Sequence, residues 1–191
     1  MKTFDVVALG ELLVDFTENE MSAQGNPLLE ANPGGAPCNV LSMLQNLGKK
    51  TAFIGKVGAD AFGQMLIKTV AEQGINIDNL LVDNEVPTTL AFVHTDQDGD
   101  RSFSFYRNPG ADMMLRWDEI RKDMLADTNI FHFGTLSMTD EQIENVTKKA
   151  DLFEMLQLAN AAASLITTRK GALRVMPKYE EITALIEDKS K

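Results

Sequence analysis

The sequence predicts an α/β protein: a largely parallel sheet flanked by helices, with a β-flap set over a site. Three observations predict it. Apolar, β-prone runs alternate with amphipathic helical runs over residues 4–74, the order that builds a parallel sheet. Two strand-like runs, Thr88–Thr95 and Arg101–Asn108, flank Asp96-Gln97-Asp98-Gly99-Asp100, a hairpin signal, and a hairpin inside an α/β chain suggests a flap. A chain of 191 residues, 44% of them hydrophobic, can close one sizeable core.

Phe4–Leu9 is apolar, breaks at Gly10 and resumes as Leu12–Phe16, which reads as one buried strand ending near Asp15. Leu28–Pro33 reads as a short strand. Pro33-Gly34-Gly35-Ala36-Pro37 is a turn, and a helix follows from about Cys38 to Leu47. Val40, Leu41, Met43, Leu44 and Leu47 make its apolar side, with Gly48 as the C-terminal stop. Thr51–Val57 is the next strand. Asp60 starts a helix that turns Phe62, Met65, Leu66, Thr69 and Val70 inward and ends at Gly74. In the hairpin, period two puts Phe103, Phe105 and Arg107 on one face and Ser102, Ser104 and Tyr106 on the other. Met113–Leu125, with the single tryptophan Trp117, reads as helix, and Ile130–Phe133 as a buried strand.

Thr139 and Gln142 form a capping box that opens a helical stretch over 139–168. Its first apolar stripe is Ile143, Val146, Ala150 and Phe153; its second is Leu152, Met155, Leu156, Ala159, Ala163 and Ile166. Leu152 follows Ile143 by nine residues, and nine steps of about 100° bring it to the opposite side. Either this helix is buried on both sides, or two different helices meet near Ala150. Gly171 and Pro177 bracket a link into a last helix over 179–189.

Eighteen Lys and Arg stand against 28 Asp and Glu, a net charge of −10. Residues 151–191 carry six of each sign, so residues 1–150 hold the whole excess. That balance argues against nucleic acid and anionic membrane as partners. One cysteine, Cys38, excludes an internal disulfide, and His94 and His132 lack metal-ligand spacing. The apolar N-terminal run is interrupted by Asp5, Glu11 and Asp15, so it reads as strand and not as a signal peptide. No apolar run is long enough to span a membrane, and a cytoplasmic protein is expected.

Gly34-Gly35-Ala36-Pro37-Cys38-Asn39 is the sharpest local feature. Two glycines before a helix allow close backbone approach to a ligand, and Asn39 offers a donor and an acceptor to a hydroxyl. A plain strand-to-helix turn with Asn39 as cap fits the same residues. Asp15, at a strand end, could accept hydrogen bonds from two sugar hydroxyls or stand solvated. The G-x-x-x-x-G-K-[ST], G-x-G-x-x-G and G-x-S-x-G motifs are all absent, which disfavours a P-loop protein, a dinucleotide oxidoreductase and an α/β-hydrolase.

Gly10-Glu11-Leu12-Leu13-Val14-Asp15, Pro33-Gly34-Gly35-Ala36-Pro37-Cys38-Asn39-Val40, Gly48, and Gly55-Lys56-Val57-Gly58-Ala59-Asp60-Ala61-Phe62-Gly63 resemble the ribokinase-like (PfkB) sugar kinases. Leu41 stands where that family usually has a small residue. Ser104–Met113 and Phe131–Ser137 resemble fructokinases, the bacterial ones in particular, and residues 153–177 resemble the C-terminal end of the same enzymes. The resemblance implies a ribokinase-like fold in which 1–150 is the N-terminal part, with a β-flap over about 12–33 and 86–108, and 151–191 is the C-terminal helical end. It implies transfer of the γ-phosphoryl of MgATP to the 6-hydroxyl of fructose, with 2-keto-3-deoxygluconate or a nucleoside as the other acceptors. Asp15, Gly34, Gly35 and Asn39 would contact the sugar, Phe105 and Arg107 would close over it, and Asn160 and Ala163 would lie near the adenine. The alternative for Phe103 and Phe105 is dimer or core packing, and for Arg107 a surface ion pair. A homodimer through the flap is also implied.

The family carries its general base, the Asp of a G-A-G-D motif, on a long segment between the two blocks that meet here near Ala150. No G-A-G-D occurs in these 191 residues. Gly58-Ala59-Asp60 and Gly110-Ala111-Asp112 lie in the wrong places for it, so no catalytic residue is assigned. The expectation is a fold cut short internally and an impaired kinase. The alternative is a non-catalytic remnant that binds sugar weakly or dimerises through the flap.

Overall fold

The structure, a computed structural model, describes residues 2–95, 100–134 and 136. The chain divides into two units, Met1–Glu144 and Asn145–Lys191, and the described residues all belong to the first. The helix expected over 139–168, its change of phase near Ala150 and the last helix lie outside the described residues.

In chain order the elements are β1 (Phe4–Leu9), β2 (Leu13–Met21), β3 (Pro27–Gly34), α1 (Ala36–Asn46), β4 (Thr51–Gly58), α2 (Ala61–Glu72), β5 (Asn76–Asp83), β6 (Leu90–Thr95), β7 (Arg101–Tyr106), α3 (Asp123–Ala126) and β8 (Thr128–Phe133). Among the described residues they make two four-stranded sheets. The first runs β5-β4-β1-β8 with every pair parallel. The second runs β3-β2-β6-β7, with β2 and β6 parallel and the outer pairs antiparallel. This is the expected α/β arrangement with its flap.

The single strand expected from Phe4 to Phe16 is two strands in two sheets. β1 ends at Leu9, and Gly10, Glu11 and Leu12 carry the chain across to β2. Both runs are apolar because both sheets press on one core. Val6 and Ala8 of β1 share that core with Leu12, Val14 of β2, Cys38, Leu41, Phe53, Val57, Leu66 and Val70. Hydrophobicity reports burial, not which sheet does the burying.

α1 begins at Ala36, two residues earlier than expected, with Pro37 in its first turn, where a missing N–H costs nothing. It buries Pro37, Cys38 and Leu41. Val40, Met43 and Leu47, expected on the inward side, are exposed, Met43 by 60%. They lie on the adjoining arc, turned away by roughly 100°. At its end Gly48 takes φ 75°, and the Gly48 and Lys49 N–H groups donate to the Gln45 and Leu44 carbonyls, the Schellman pattern.

β5 was not expected, because Asn76, Asp78 and Asn79 disfavour a strand. The fold satisfies the deepest of them. Asn79 is fully buried, donates its amide to the Arg121 carbonyl at 3.1 Å and accepts the Arg121 N–H at 2.8 Å. The same bonds help to explain why Met113–Leu125 is not the helix expected. Two 3₁₀ turns, Ala111–Met114 and Trp117–Glu119, and the short α3 stand in its place. An α-helix would give the Met114 carbonyl to the Asp118 N–H and the Arg121 N–H to the Trp117 carbonyl. Here the Met114 carbonyl accepts from Lys56 Nζ at 3.2 Å, and Asn79 takes the Arg121 N–H. Lys56, its side chain 6% exposed, also pairs with Glu119 at 2.8 Å and Asp83 at 3.3 Å. Trp117 lies under the Lys122 ammonium, 5.3 Å from the ring centroid. The strand at 130–133 is present as part of β8, but Ile130 is exposed.

Asp60 caps α2 and also holds the chain where it enters the flap. Its carboxylate accepts from the Gly63 N–H, the Thr88 N–H and the Thr88 hydroxyl, each at 2.8 Å. Burial alone would raise its pKa; these hydrogen bonds outweigh that and hold it below the usual carboxylate range. A carboxyl depressed in the folded state stabilises above its unfolded pKa of about 3.9 and loses that contribution as pH falls through the lower folded value. Asp60→Ala should cost about 1–2 kcal/mol at neutral pH by urea unfolding. The gap to the native chain should narrow as pH falls below about 4.

Candidate functional site

A cavity of about 230 Å³ opens where one face of the second sheet meets the N-terminus of α1. That is smaller than a drug-sized pocket of about 300–1,000 Å³ and suits one small polar molecule. Strand register builds its wall. Asp15 pairs with Ala91, and Ala91 pairs with Phe105; Thr17, Val93 and Phe103 form the next row. Residues in one row share a face, so Asp15, Phe103 and Phe105 point into the same space. All three line the cavity, with the Phe103 and Phe105 rings stacked at 6.0 Å. The other face carries Phe16, Phe92 and Tyr106, and Phe16 meets Phe62 of α2 edge-on at 5.5 Å. The period-two split of Phe103 and Phe105 from Tyr106 is therefore the observed one.

The floor comes from the glycine turn. Gly35 precedes α1 with φ 128° and ψ 121°, a conformation that disfavours side-chain-bearing residues. A Cβ there would run into the Glu11 carbonyl, and one on Gly34 into the Asp15 carboxylate. The glycines thus let the backbone lie against these two acidic residues. Asn39, in the first turns of α1, reaches the cavity, but it is not the helix cap; its N–H donates to the Gly35 carbonyl at 3.0 Å.

The Asp15 carboxylate makes no hydrogen bond or ion pair among the described residues, and burial raises its pKa. A half-desolvated carboxylate that faces a cavity without a donor is suited to accept from a ligand's hydroxyls. Glu11 was not singled out as a site residue. It is almost fully buried, lines the cavity and accepts the Ala36 N–H at 3.2 Å, so a carboxylate from the sheet crossing stands at the start of α1. Its signal in the sequence is a charged residue inside an otherwise apolar run.

Arg107 falls one residue beyond β7 and outside the period-two ladder. Its Nε and one Nη donate to Asp112 at 3.0 and 2.6 Å, and the other Nη donates to the Leu136 carbonyl at 3.2 Å. Leu136 lines the cavity, so Arg107 stands behind the rim, not in the wall. The two aspartates of the Gly-Ala-Asp look-alikes have structural partners: Asp60 caps α2 and Asp112 holds Arg107. Asn160 and Ala163, expected near a nucleotide, lie outside the described residues. Among the described residues no three His, Cys, Asp or Glu side chains gather to hold a metal.

Residues 3–150 match the family described as pfkB family carbohydrate kinase. The chain belongs to this family. It is 44% identical over 139 residues to the probable fructokinase-5 of Arabidopsis thaliana, covering 71% of this chain and 43% of that protein. Two crystal structures of fructokinase from Xylella fastidiosa, one with bound ATP, match with TM-scores of 0.69 and 0.67 at 37% and 36% identity. Each match covers 74% of this chain, and 44% and 42% of the respective crystallised chains. The crystal structure of a putative ribokinase II from E. coli matches with a TM-score of 0.71 at 27% identity, covering 78% of this chain and 49% of that one. The fold of this PfkB chain is thus ribokinase-like, and the chain spans about half the length of the curated relatives it matches.

The two glycines of the turn should respond differently to a methyl group. Gly35→Ala meets backbone at a disallowed φ and should cost about 2 kcal/mol or more by urea unfolding. Gly34→Ala meets the movable end of one side chain and should cost less than about 1 kcal/mol, displacing the Asp15 carboxylate instead.

Proposed function

We propose that this chain carries the sugar site of an ATP-dependent kinase of fructokinase type. The reaction of that type transfers the γ-phosphoryl of MgATP to the 6-hydroxyl of D-fructose. The observation that carries the reading is Asp15, a carboxylate with no donor among the described residues, facing a small cavity beside Gly35, Asn39 and Phe105. A polyol needs an acceptor for its hydroxyls, close backbone beneath it and an apolar face above it, and these residues supply all three. Kinship with plant and bacterial fructokinases supports the sugar, and the ATP-bound relative supports the phosphoryl donor. No helix among the described residues is long and apolar enough to cross a membrane. A cytoplasmic setting belongs to the same proposal.

Turnover is a separate matter. Phosphoryl transfer relies on positioning and charge stabilisation, with little covalent work for the protein. A positioned base contributes about 10²–10⁴-fold, and one anion-hole donor roughly 10²–10³-fold. The family places both on the G-A-G-D segment, and these 191 residues contain no such motif. Asp60 and Asp112, which end the two look-alikes, are tied into the fold. The 191-residue chain on its own is therefore proposed to bind sugar and to turn over at least about 10⁴-fold more slowly than an intact kinase.

The purified chain should form no fructose-dependent ADP above buffer in a coupled assay. Fructose binding measured by calorimetry or ligand-observed NMR should disappear in Asp15→Ala. Turnover near 1 s⁻¹ or faster, the ordinary range for kinases, would require a base elsewhere in the chain.

The flap is proposed to pair two copies of the chain. Phe103 and Phe105 are 52% and 48% exposed, and β3 and β7 are edge strands among the described residues. Exposed edges beside apolar side chains invite pairing. Light scattering at micromolar concentration should report a dimer or larger species; a monodisperse monomer overturns the pairing.

A further inference from the structure

The cavity is lined by two carboxylates, Glu11 and Asp15, and no Lys or Arg is among its described lining residues. Arg107 stands at its rim, donating to the carbonyl of the lining residue Leu136. A guanidinium in that position would ordinarily make a site receptive to acid sugars, because its planar fork matches a carboxylate. In this protein the fork is already filled. Nε and Nη both donate to Asp112 Oδ2, and the two side chains are 9% and 0% exposed. Asp112 is held in turn by the Thr89 hydroxyl on Oδ1. Gly110 packs so closely against Thr89, Asp112 and the Arg107 stem that no side chain fits there. The arginine is thus neutralised by an internal partner whose own position is fixed.

We propose that Asp112 sets the selectivity of this site for neutral over anionic sugars, by neutralising Arg107 and occupying its fork. The inference rests on the sugar-site reading above and deepens it. Among the described lining residues an arriving carboxylate meets Asp15 and no Lys or Arg to offset it. Capturing Arg107 would require breaking a buried pair, which leaves Asp112 as an uncompensated buried charge. A neutral ketose meets neither cost. Asp112 is a positioning residue in this account: it acts on the ligand through Arg107.

The test uses the full 191-residue chain and two sugars that differ at one carbon. D-fructose is the neutral probe. 2-Keto-D-gluconate, which is fructose with its C1 hydroxymethyl group oxidised to a carboxylate, is the anionic one. The native chain should bind fructose at least about tenfold more tightly than the acid at low salt, with the gap narrowing as salt screens Asp15. Asp112→Asn keeps the shape and a hydrogen bond to Arg107 but removes the charge. It should tighten binding of the acid by about tenfold, the scale of one uncompensated charge at partial burial, and change fructose binding much less.

Equal binding of the two sugars by the native chain overturns the inference, and this arm needs no variant. An Asp112→Asn chain that folds, by circular dichroism, yet shows no gain for the acid also overturns it. Either result leaves fructose binding, and hence the sugar-site reading, intact. Loss of all sugar binding in the native chain is a different failure and overturns both.

Discussion

Backbone meets backbone where the two sheets join, and much of the first unit is arranged around that contact. At Gly35 the chain returns from the flap to start α1, and it passes so close to the Glu11 carbonyl that a Cβ has no place. The Glu11 carboxylate accepts the Ala36 N–H, and Gly10 and Gly134 both press on the Pro37 ring. The N-terminus of a helix has N–H groups without internal partners and a partial positive charge. Filling one of those positions with a buried carboxylate from the sheet crossing fastens α1 to the seam. The cavity is the space left beside this fastening, with Glu11, Gly35 and Ala36 in its lining.

Among the described residues, two buried sets of ions shape irregular backbone. Lys56 draws Asp83, Glu119 and the Met114 carbonyl together and winds residues 111–120 around its ammonium. Arg107, Asp112 and Thr89 fasten the exit of β7 to the entry of β6. Buried ion pairs are poor sources of net stability, since desolvation offsets attraction, but breaking one is costly. They specify a path for backbone that no periodic pattern could direct. The flap is consequently tied at both of its later crossings, by Asp60 to Thr88 on the way in and by Arg107 to Asp112 on the way out.

A ligand in the cavity would sit between a rigid element and a more exposed one. Asp15 lies on β2, inside the second sheet, while Phe103 lies on the edge strand β7. The stacked pair of Phe103 and Phe105 covers the cavity from a strand bonded on one side only among the described residues. Such strands yield more easily than central ones.

The sequence by itself determined the elements whose residues answer to their neighbours along the chain. α2 was legible from its Asp60 cap, its apolar spacing and Gly74; the Gly48 stop, the flap hairpin and the Gly34-Gly35 turn into α1 were legible for the same local reason. Tertiary structure decided the rest. It divided the apolar run from Phe4 to Phe16 between two sheets, because burial by either sheet asks for the same residues. It made a strand of Asn76–Asp83 by giving Asn79 backbone partners 42 residues away. It unwound Met113–Leu125 by offering its backbone groups Lys56 and Asn79 in place of each other. It also turned Arg107 from the wall toward Asp112, a choice made by a carboxylate whose burial no local pattern reveals. Propensity and periodicity record what a segment prefers alone; a buried polar group takes whichever partner the fold brings within reach, and that partner is set by distant sequence.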